Sequence, residues 1–132
     1  MAKVRSFIYC EEIEQQPTPT GPKANIIGPI GEINLMGIPS FYSFSVACTI
    51  VELDSTKVNE LQIHFVAPNG ELLNDTGVIE IPILEEKIAK SLQMNLRFNN
   101  LPFREEGEFV TKVYFNGEEI DRFPISAHID NI

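Results

Sequence analysis

Apolar and polar residues alternate at every second position over much of the chain. In FYSFSVACTIVEL the even positions from Tyr42 to Ile50 are apolar, and mostly small polar residues lie between them. LQIHFVAP repeats the pattern with Leu61, Ile63 and Phe65. Side chains two residues apart share one face of a β-strand, so each segment is predicted to be a strand with one buried face.

Four later segments alternate in the same way: VIEIPI, MNLRF, EFVTKVYF and RFPISAHI. Pro82 in the first of them favours an edge strand, because proline cannot donate a ladder hydrogen bond. An Asn-Gly pair between the last two predicts a hairpin. A strict two-residue turn there would place Phe123 opposite Val110, although the two belong to different faces. We therefore expect one extra residue, in a longer loop or in a bulge before Pro124.

One segment has the spacing of a helix. In LEEKIAKSLQ, Leu84, Ile88 and Leu92 recur every fourth residue, which predicts one short helix. Upstream, residues 14–40 contain five prolines and four glycines. That composition predicts loops around a short extended piece near residues 24–27.

These elements predict an all-β fold in a single domain, residues 1–132. The expected architecture is an immunoglobulin-like antiparallel β-sandwich of about seven to eight strands with one short helix. A closed barrel is the alternative, because alternation does not give the strand order. A chain of 132 residues can bury roughly two thirds of the surface that its unfolded form exposes, so no metal or disulfide is needed for folding.

Charge narrows the choice of partners. The chain has 10 Lys and Arg against 19 Asp and Glu, a net charge of -9. That charge repels phosphate backbones and anionic membranes. The apolar run from Phe7 to Cys10 is too short for a signal-peptide core, and no later window is long enough to span a bilayer. We expect a cytoplasmic protein with no nucleic-acid and no membrane partner.

The glycine pair in NIIGPIGEI, residues 25–33, is close to the loop by which K-homology domains clamp a nucleic-acid backbone. That loop joins two helices and normally has a basic residue between its glycines. Here Pro29 and Ile30 stand between the glycines, and Glu32 would repel phosphate. The segment is interpreted as a turn.

The two cysteines, Cys10 and Cys48, are too few and too far apart for a disulfide framework or a zinc site. Cys48 shares the apolar face of its strand and is predicted to face the core. Cys10 precedes Glu11 and Glu12, whose charges disfavour a thiolate. Both are expected to be unreactive thiols.

No catalytic residue, cofactor site or metal site is predicted. His64 and His128 fall on outward faces of predicted strands, where a histidine is normally solvated. A metal site would need these strands to be neighbours and a loop carboxylate to join them. The carboxylates at predicted turns lack the Asp-x-Asp spacing of calcium loops. They are Glu85 and Glu86, then Glu105, Glu106 and Glu108, then Glu118, Glu119 and Asp121.

A partner-binding patch is predicted on the faces opposite the core. Val66 lies on that face of one strand, and Val110 and Tyr114 lie on that face of another. If the two strands belong to one sheet, these residues form an exposed apolar patch with a tyrosine anchor. The competing interpretation is that they are scattered surface residues without a role.

Several segments together resemble one family of small uncharacterised bacterial proteins. They are KVRSFIYC, KANIIGPIGEI, the APNGELL that follows Val66, and the closing GEFVTKVYFNGEEIDRFPISAHI. The family opens with a strand ending in Cys, continues through Lys-x-Asn-Ile-Ile-Gly, and finishes with Gly-x-aromatic strands and an Asn/Asp-Gly hairpin. Pro29 departs from it, since an aliphatic or aromatic residue is commoner after the glycine. The resemblance implies a β-sandwich with no established activity and no catalytic residues.

The leading hypothesis for function is a non-enzymatic module. It would bind an unknown protein partner, or self-associate, through strand edges or one sheet face. One alternative is a small-molecule or carbohydrate binder that uses loops at the ends of the sandwich. A further alternative is a weakly metal-dependent hydrolase that uses His64, His128 and a loop carboxylate.

Overall fold

A computed structural model describes residues 2–54, 56–83 and 91–130, and in these residues the chain forms ten strands and no helix. The strands are β1 (Lys3–Thr18), β2 (Gly21–Pro29), β3 (Glu32–Leu35), β4 (Ser40–Val51), β5 (Asn59–Val66), β6 (Leu72–Asp75), β7 (Ile79–Ile81), β8 (Ser91–Phe103), β9 (Gly107–Phe115) and β10 (Glu118–Ile129).

The strands form two sheets. The four-stranded sheet has the order β2-β1-β4-β8, and the six-stranded sheet has the order β3-β10-β9-β5-β6, with β7 also paired to β5. β1, β4 and β8 take the places of immunoglobulin strands A, B and E, while β5, β9 and β10 take those of C, F and G. The predicted immunoglobulin-like sandwich is confirmed. One pair, β3 with β10, is parallel, so the sandwich is not wholly antiparallel.

The core lies between the sheets and is built from the alternating residues. On β4 the four side chains from Phe44 to Ile50 at even positions are fully buried, and on β5 so are Leu61, Ile63 and Phe65. Aromatic rings fill the centre, and the centroids of two of them, Phe103 and Phe109, lie 4.7 Å apart. Period two in the sequence therefore correctly located the buried faces of the central strands.

The turn between β9 and β10 agrees with the register argument. Asn116 and Gly117 have φ values of 51° and 81°, as a two-residue hairpin turn requires. Pairing then slips between Glu119 and Asp121, so Phe123 lies opposite Thr111 instead of Val110. The predicted extra residue is a bulge before Pro124, and it keeps Ile125 in the core.

The N-terminal region corrects the sequence interpretation. Residues 14–40 were expected to be mostly loop, but β1 continues to Thr18 and pairs with the whole of β2. Proline disrupts a strand only where its missing N–H would be bonded, so prolines at an edge or at the end of a hairpin are tolerated. Pro17 lies opposite Pro22 next to the turn. We call the hairpin of residues 11–29 the arm.

Two other expectations change. The ten strands exceed the predicted seven to eight, because the arm adds β2 and because β3 and β6 have only four residues each, too few to show alternation. β7 lies in the predicted VIEIPI segment. The predicted helix covers residues 84–93, and its first seven residues lie outside the described residues. Its last three, 91–93, begin β8, where Leu92 alternates with Met94 and Leu96 at period two.

Tyr9 connects the two sheets. It is 8% exposed on β1, and its hydroxyl donates to the Phe123 carbonyl oxygen at 2.7 Å. The Thr111 Oγ1 atom lies 2.6 Å from the same hydroxyl oxygen. Burial raises the pKa of Tyr9, against the smaller lowering by the Thr111 hydrogen bonds. A neutral, doubly hydrogen-bonded phenol thus holds β1 against β9 and β10.

Candidate interaction surface

The outer face of the six-stranded sheet carries an apolar row that crosses four strands. Val66 lies opposite Val110, Val110 lies opposite Pro124, and Val66 also lies opposite Leu72 on β6. Val66 and Val110 are half-buried. Pro124 and Leu72 are exposed, and Leu72 has a relative exposure of 48%. We call Pro124, Val110, Val66 and Leu72 the apolar row.

Tyr114 lies on the same face, two rows of side chains away from the apolar row. It pairs with Gln62 on β5 and with Glu119 on β10, and it is half-buried. Its ring centroid is 4.8 Å from that of His64. The structure therefore brings the predicted residues Val66, Val110 and Tyr114 onto one face of two neighbouring strands.

A charged row separates Tyr114 from the apolar row. It consists of Arg122, Lys112, His64 and Asp75, which face one another across β10, β9, β5 and β6. Hydrogen bonds from the Gln62 side chain and the Gly77 N–H lower the pKa of Asp75, with a smaller effect from His64. His64 Nε2 lies 3.4 Å from Asp75 Oδ2 but outside hydrogen-bonding geometry, and it has no other partner among the described residues.

The two histidines are not neighbours. Both lie on the outer face of the six-stranded sheet, as predicted, but β9 separates β5 from β10. His128 also lies six residues along β10 from Arg122, the residue in the row of His64. That offset is about 20 Å along the strand. His128 Nε2 instead lies 3.8 Å from Glu32 Oε1, and the described residues contain no group of three metal-binding side chains.

Both cysteines are fully buried free thiols. Cys48 faces the core, where burial raises its pKa to about 12. Cys10 lies on the outer side of the four-stranded sheet, and its Sγ donates to the Ser45 carbonyl oxygen at 3.6 Å. Burial raises the pKa of Cys10, while the Arg97 charge and the Glu12 N–H oppose the rise. Burial is thus the main cause, and not the neighbouring glutamate charges invoked from the sequence.

The glycine segment joins two strands. Gly28 and Pro29 belong to β2, and only Ile30 and Gly31 form a bend before β3. The turn interpretation is therefore correct for those two residues and wrong for Gly28 and Pro29. A K-homology loop lies between helices, so this backbone does not have its geometry.

Sequence reasoning missed two members of the apolar row. Leu72 lies on β6, a four-residue strand too short to show a periodic pattern. Pro124 was assigned to an outward face, but its place beside Val110 depends on the bulge and on the strand order. The strand order comes from contacts between distant segments, and nothing in local alternation reports them.

Comparison with family models gives a match over residues 5–128. The protein belongs to DUF6941, a family of unknown function. The family resemblance seen in the sequence agrees with this assignment. A comparison with curated proteins finds no match. In the part of the chain that the structure describes, no helix is long and apolar enough to cross a membrane.

Solved structures similar to this DUF6941 protein include three at low identity. One is the Pseudomonas fluorescens alkylpurine DNA glycosylase AlkC bound to DNA containing an abasic site analog, with a TM-score of 0.50 and 11% identity. The match covers 96% of this chain and 30% of the glycosylase chain. Another is an immunoglobulin-like protein from Pseudomonas aeruginosa, with a TM-score of 0.48, 10% identity and 97% of both chains covered. A β-glucosidase from Listeria innocua matches at a TM-score of 0.43 and 14% identity over 96% of this chain and 16% of its own.

Proposed function

We propose that this DUF6941 protein is a non-enzymatic interaction module that binds a protein partner through the outer face of its six-stranded sheet. The observation that carries the proposal is the apolar row, which aligns Pro124, Val110, Val66 and Leu72 across four neighbouring strands. From Pro124 to Leu72 the row spans three strand spacings, or about 14 Å. An aligned row of this length is a continuous contact surface, unlike single apolar residues scattered over a protein surface.

The surroundings of the row support binding of a protein. Interfaces commonly have an apolar centre, an aromatic anchor and a polar rim. Tyr114 supplies the aromatic ring, which packs at a tilt against His64 with a centroid distance of 4.8 Å. Lys112 and Arg122 supply positive charge on the side of the apolar row that faces Tyr114. On the opposite side of the apolar row, Glu108 lies opposite Ser126. Asp75 and Glu119 counter much of that positive charge, so the rim is polar on both sides of the apolar row.

The geometry favours binding over catalysis. An active site needs polar groups that converge on a substrate in a cleft. Here the titratable groups of the outer face are spread along a sheet, with Asp75 and Arg122 at opposite ends of the charged row. His64 Nε2 lies near Asp75 Oδ2 without a hydrogen bond, and the Tyr114 ring packs on that histidine. This packing suits a rigid binding surface.

The test replaces Val110 and Tyr114 together with Ser. The matched control is Phe41→Ser, which removes an aromatic side chain that is 72% exposed on the other sheet. Partner recovery by the immobilised protein and light scattering are compared for the three proteins. We expect recovery by the double variant to fall roughly thirtyfold, since an aromatic anchor contributes about 2 kcal/mol, and the control to match wild type. Unchanged recovery with an intact circular dichroism spectrum would remove this face from consideration.

The small-molecule alternative has one observation in its favour. A depression of about 660 Å³ between the arm and β3 is lined by Glu11, Glu32 and Tyr42 among other residues. That volume is typical of ligand sites, whereas the cavity of about 230 Å³ beside Asn116 is below the usual range. Two carboxylates beside a phenol would suit a cationic or hydroxyl-rich ligand. Titration with a panel of sugars and polyamines, with Tyr42→Ala as the loss-of-binding variant, tests this alternative.

A further inference from the structure

The outer edge of β8 is long and regular. Among the described residues β8 pairs with β4 alone. From Ser91 to Phe98 its pairing with β4 runs without a shift, and the irregularity comes only after Phe98. These eight residues (91–98) present a straight run of backbone N–H and C=O groups along the edge.

Other open edges in the described chain carry charges or prolines or are short. β1 pairs with β4 over Lys3–Cys10 and with β2 over Cys10–Thr18, so each half has an open side, but this strand carries charges of both signs and Pro17. Proteins prevent unwanted pairing at sheet edges with short strands, charges and prolines. β3, β6 and β7 have four, four and three residues, and each carries a carboxylate: Glu32, Asp75 and Glu80 respectively. β2 contains two prolines. Residues 91–98 of β8 have no proline and no acidic residue, and Arg97 is their only charge.

The side chains of β8 are suited to a further strand. Toward the core, Leu92, Met94 and Leu96 are only half-buried, although they pack against the core cluster. A neighbouring strand would cover their exposed parts. On the outer side, Gln93 accepts from Thr49 at 2.7 Å and donates to Asn95 Oδ1 at 3.1 Å. Amides that are already aligned along the strand can extend this ladder to a neighbour.

We propose that β8 pairs antiparallel with β8 of a second copy of this chain, around a twofold axis at Asn95. Two copies with a net charge of -9 each repel one another over most of their surface. At the edge of β8 the two copies can meet without repulsion between strand carboxylates, because residues 91–98 contain none. The proposed contact is on the four-stranded sheet and is independent of the proposed function, which uses the outer face of the other sheet.

The self-pairing of β8 is complementary in the register centred on Asn95. In this register Gln93 of one copy lies opposite Arg97 of the other, and Met94 lies opposite Leu96. The two Arg97 side chains stay apart, since each guanidinium points across its own sheet and donates to the Glu11 carbonyl oxygen and the Ser45 hydroxyl. Apolar side chains face each other on the core side. The pairing joins the two four-stranded sheets into one continuous sheet across the dimer. An isologous contact of this kind is closed and ends at two copies.

The experiment uses a charge exchange at Asn95. This side chain is exposed and accepts one hydrogen bond, from Gln93, so Asn95→Asp and Asn95→Lys should keep the fold. Sedimentation equilibrium should show concentration-dependent dimers for wild type and roughly tenfold weaker association for each variant, because like charges then lie directly opposite each other. An equimolar mixture of the two variants should associate at least as well as wild type. A wild-type protein that is monomeric at all concentrations, or variants that associate as well as wild type, would overturn the proposal.

A second variant tests the register directly. Asn95→Cys places thiols opposite each other at the axis, and the native Cys10 and Cys48 are fully buried and do not compete. Mild oxidation should give a disulfide-linked dimer on non-reducing gels. The matched control, Asn25→Cys on β2, should stay monomeric under the same oxidation. Cross-linking of Asn25→Cys to Asn95→Cys, without self-linking of Asn95→Cys, would replace the closed dimer by head-to-tail pairing of β2 with β8.

Discussion

At the scale of single residues, the Tyr9 hydroxyl is a polar group in an apolar interior whose hydrogen bonds join the two sheets. It contacts Thr111 Oγ1 and the Phe123 carbonyl oxygen, and Phe7 stacks on Phe123 beside it with a centroid distance of 4.1 Å. The aromatic ring would pack equally well without its hydroxyl. The hydroxyl contribution can therefore be measured separately from that of the ring.

Replacing Tyr9 with Phe should lower the free energy of unfolding by about 1 to 3 kcal/mol, because the Phe123 carbonyl and the Thr111 hydroxyl lose a buried partner. Urea unfolding followed by circular dichroism measures the change. Tyr114→Phe on the outer face is the control and should change stability by no more than about 0.5 kcal/mol. Equal effects of the two substitutions would show that Tyr9 does not connect the sheets energetically.

At the scale of elements, the arm is the part that local sequence signals described worst. Alternation predicted the buried faces of β4, β5, β9 and β10, because the core between two sheets imposes period two on strands that have one buried face. The arm lies at an edge and has mostly exposed side chains, so no buried face imposes a pattern on it. Prolines and glycines then dominated the interpretation, although pairing with β1 holds β2 extended.

The same limit applies to the candidate surface. Val66, Val110 and Tyr114 could be assigned to outward faces from alternation within each strand. Their proximity depended on β5 and β9 being neighbours, which alternation cannot show. Leu72 and Pro124 required the full strand order and the position of the bulge.

Gly28 gives an element-level prediction for the arm. Its φ is +63°, and a Cβ there would lie 2.8 Å from the Glu11 carboxyl carbon. Gly28→Ala should lower the free energy of unfolding by about 1 kcal/mol or more, because alanine is strained in the left-handed backbone conformation. The flexible Glu11 side chain can move and relieve part of the steric contact. Hydrogen exchange should accelerate in residues 11–29. Gly31→Ala is the matched control, since open space surrounds that position, and comparable exchange in the two variants would contradict the prediction.

At the scale of the whole molecule, net charge decides which partners can approach. The value of -9 comes from carboxylates spread over both ends of the sandwich and the arm, and the cations on the outer face of the six-stranded sheet are few. Lys112 and Arg122 in the charged row are countered by Asp75 and Glu119, and Arg122 binds Glu119 at 2.7 Å. A phosphate backbone would find no basic stripe along this face.

Single-stranded DNA or RNA should therefore not bind at physiological salt, because the electrostatic part of the binding free energy is unfavourable. Fluorescence anisotropy with mixed labelled oligonucleotides checks this, with a basic single-strand-binding protein as the positive control. Micromolar binding that weakens steeply as salt rises would contradict the prediction and would direct attention to the backbone around Gly31.

The parallel pairing of β3 with β10 has a consequence for how the protein is made. β10 lies inside the six-stranded sheet, between β3 and β9, yet it is the last of the strands to leave the ribosome. Until it emerges, β3 lacks its β10 partner and β9 presents an open edge in the middle of what will be the sheet. Pairings between segments so distant in sequence form slowly, and open edges in partly folded chains favour aggregation. A chaperone that shields the β9 edge until β10 pairs with it is therefore expected to raise the yield of folded protein.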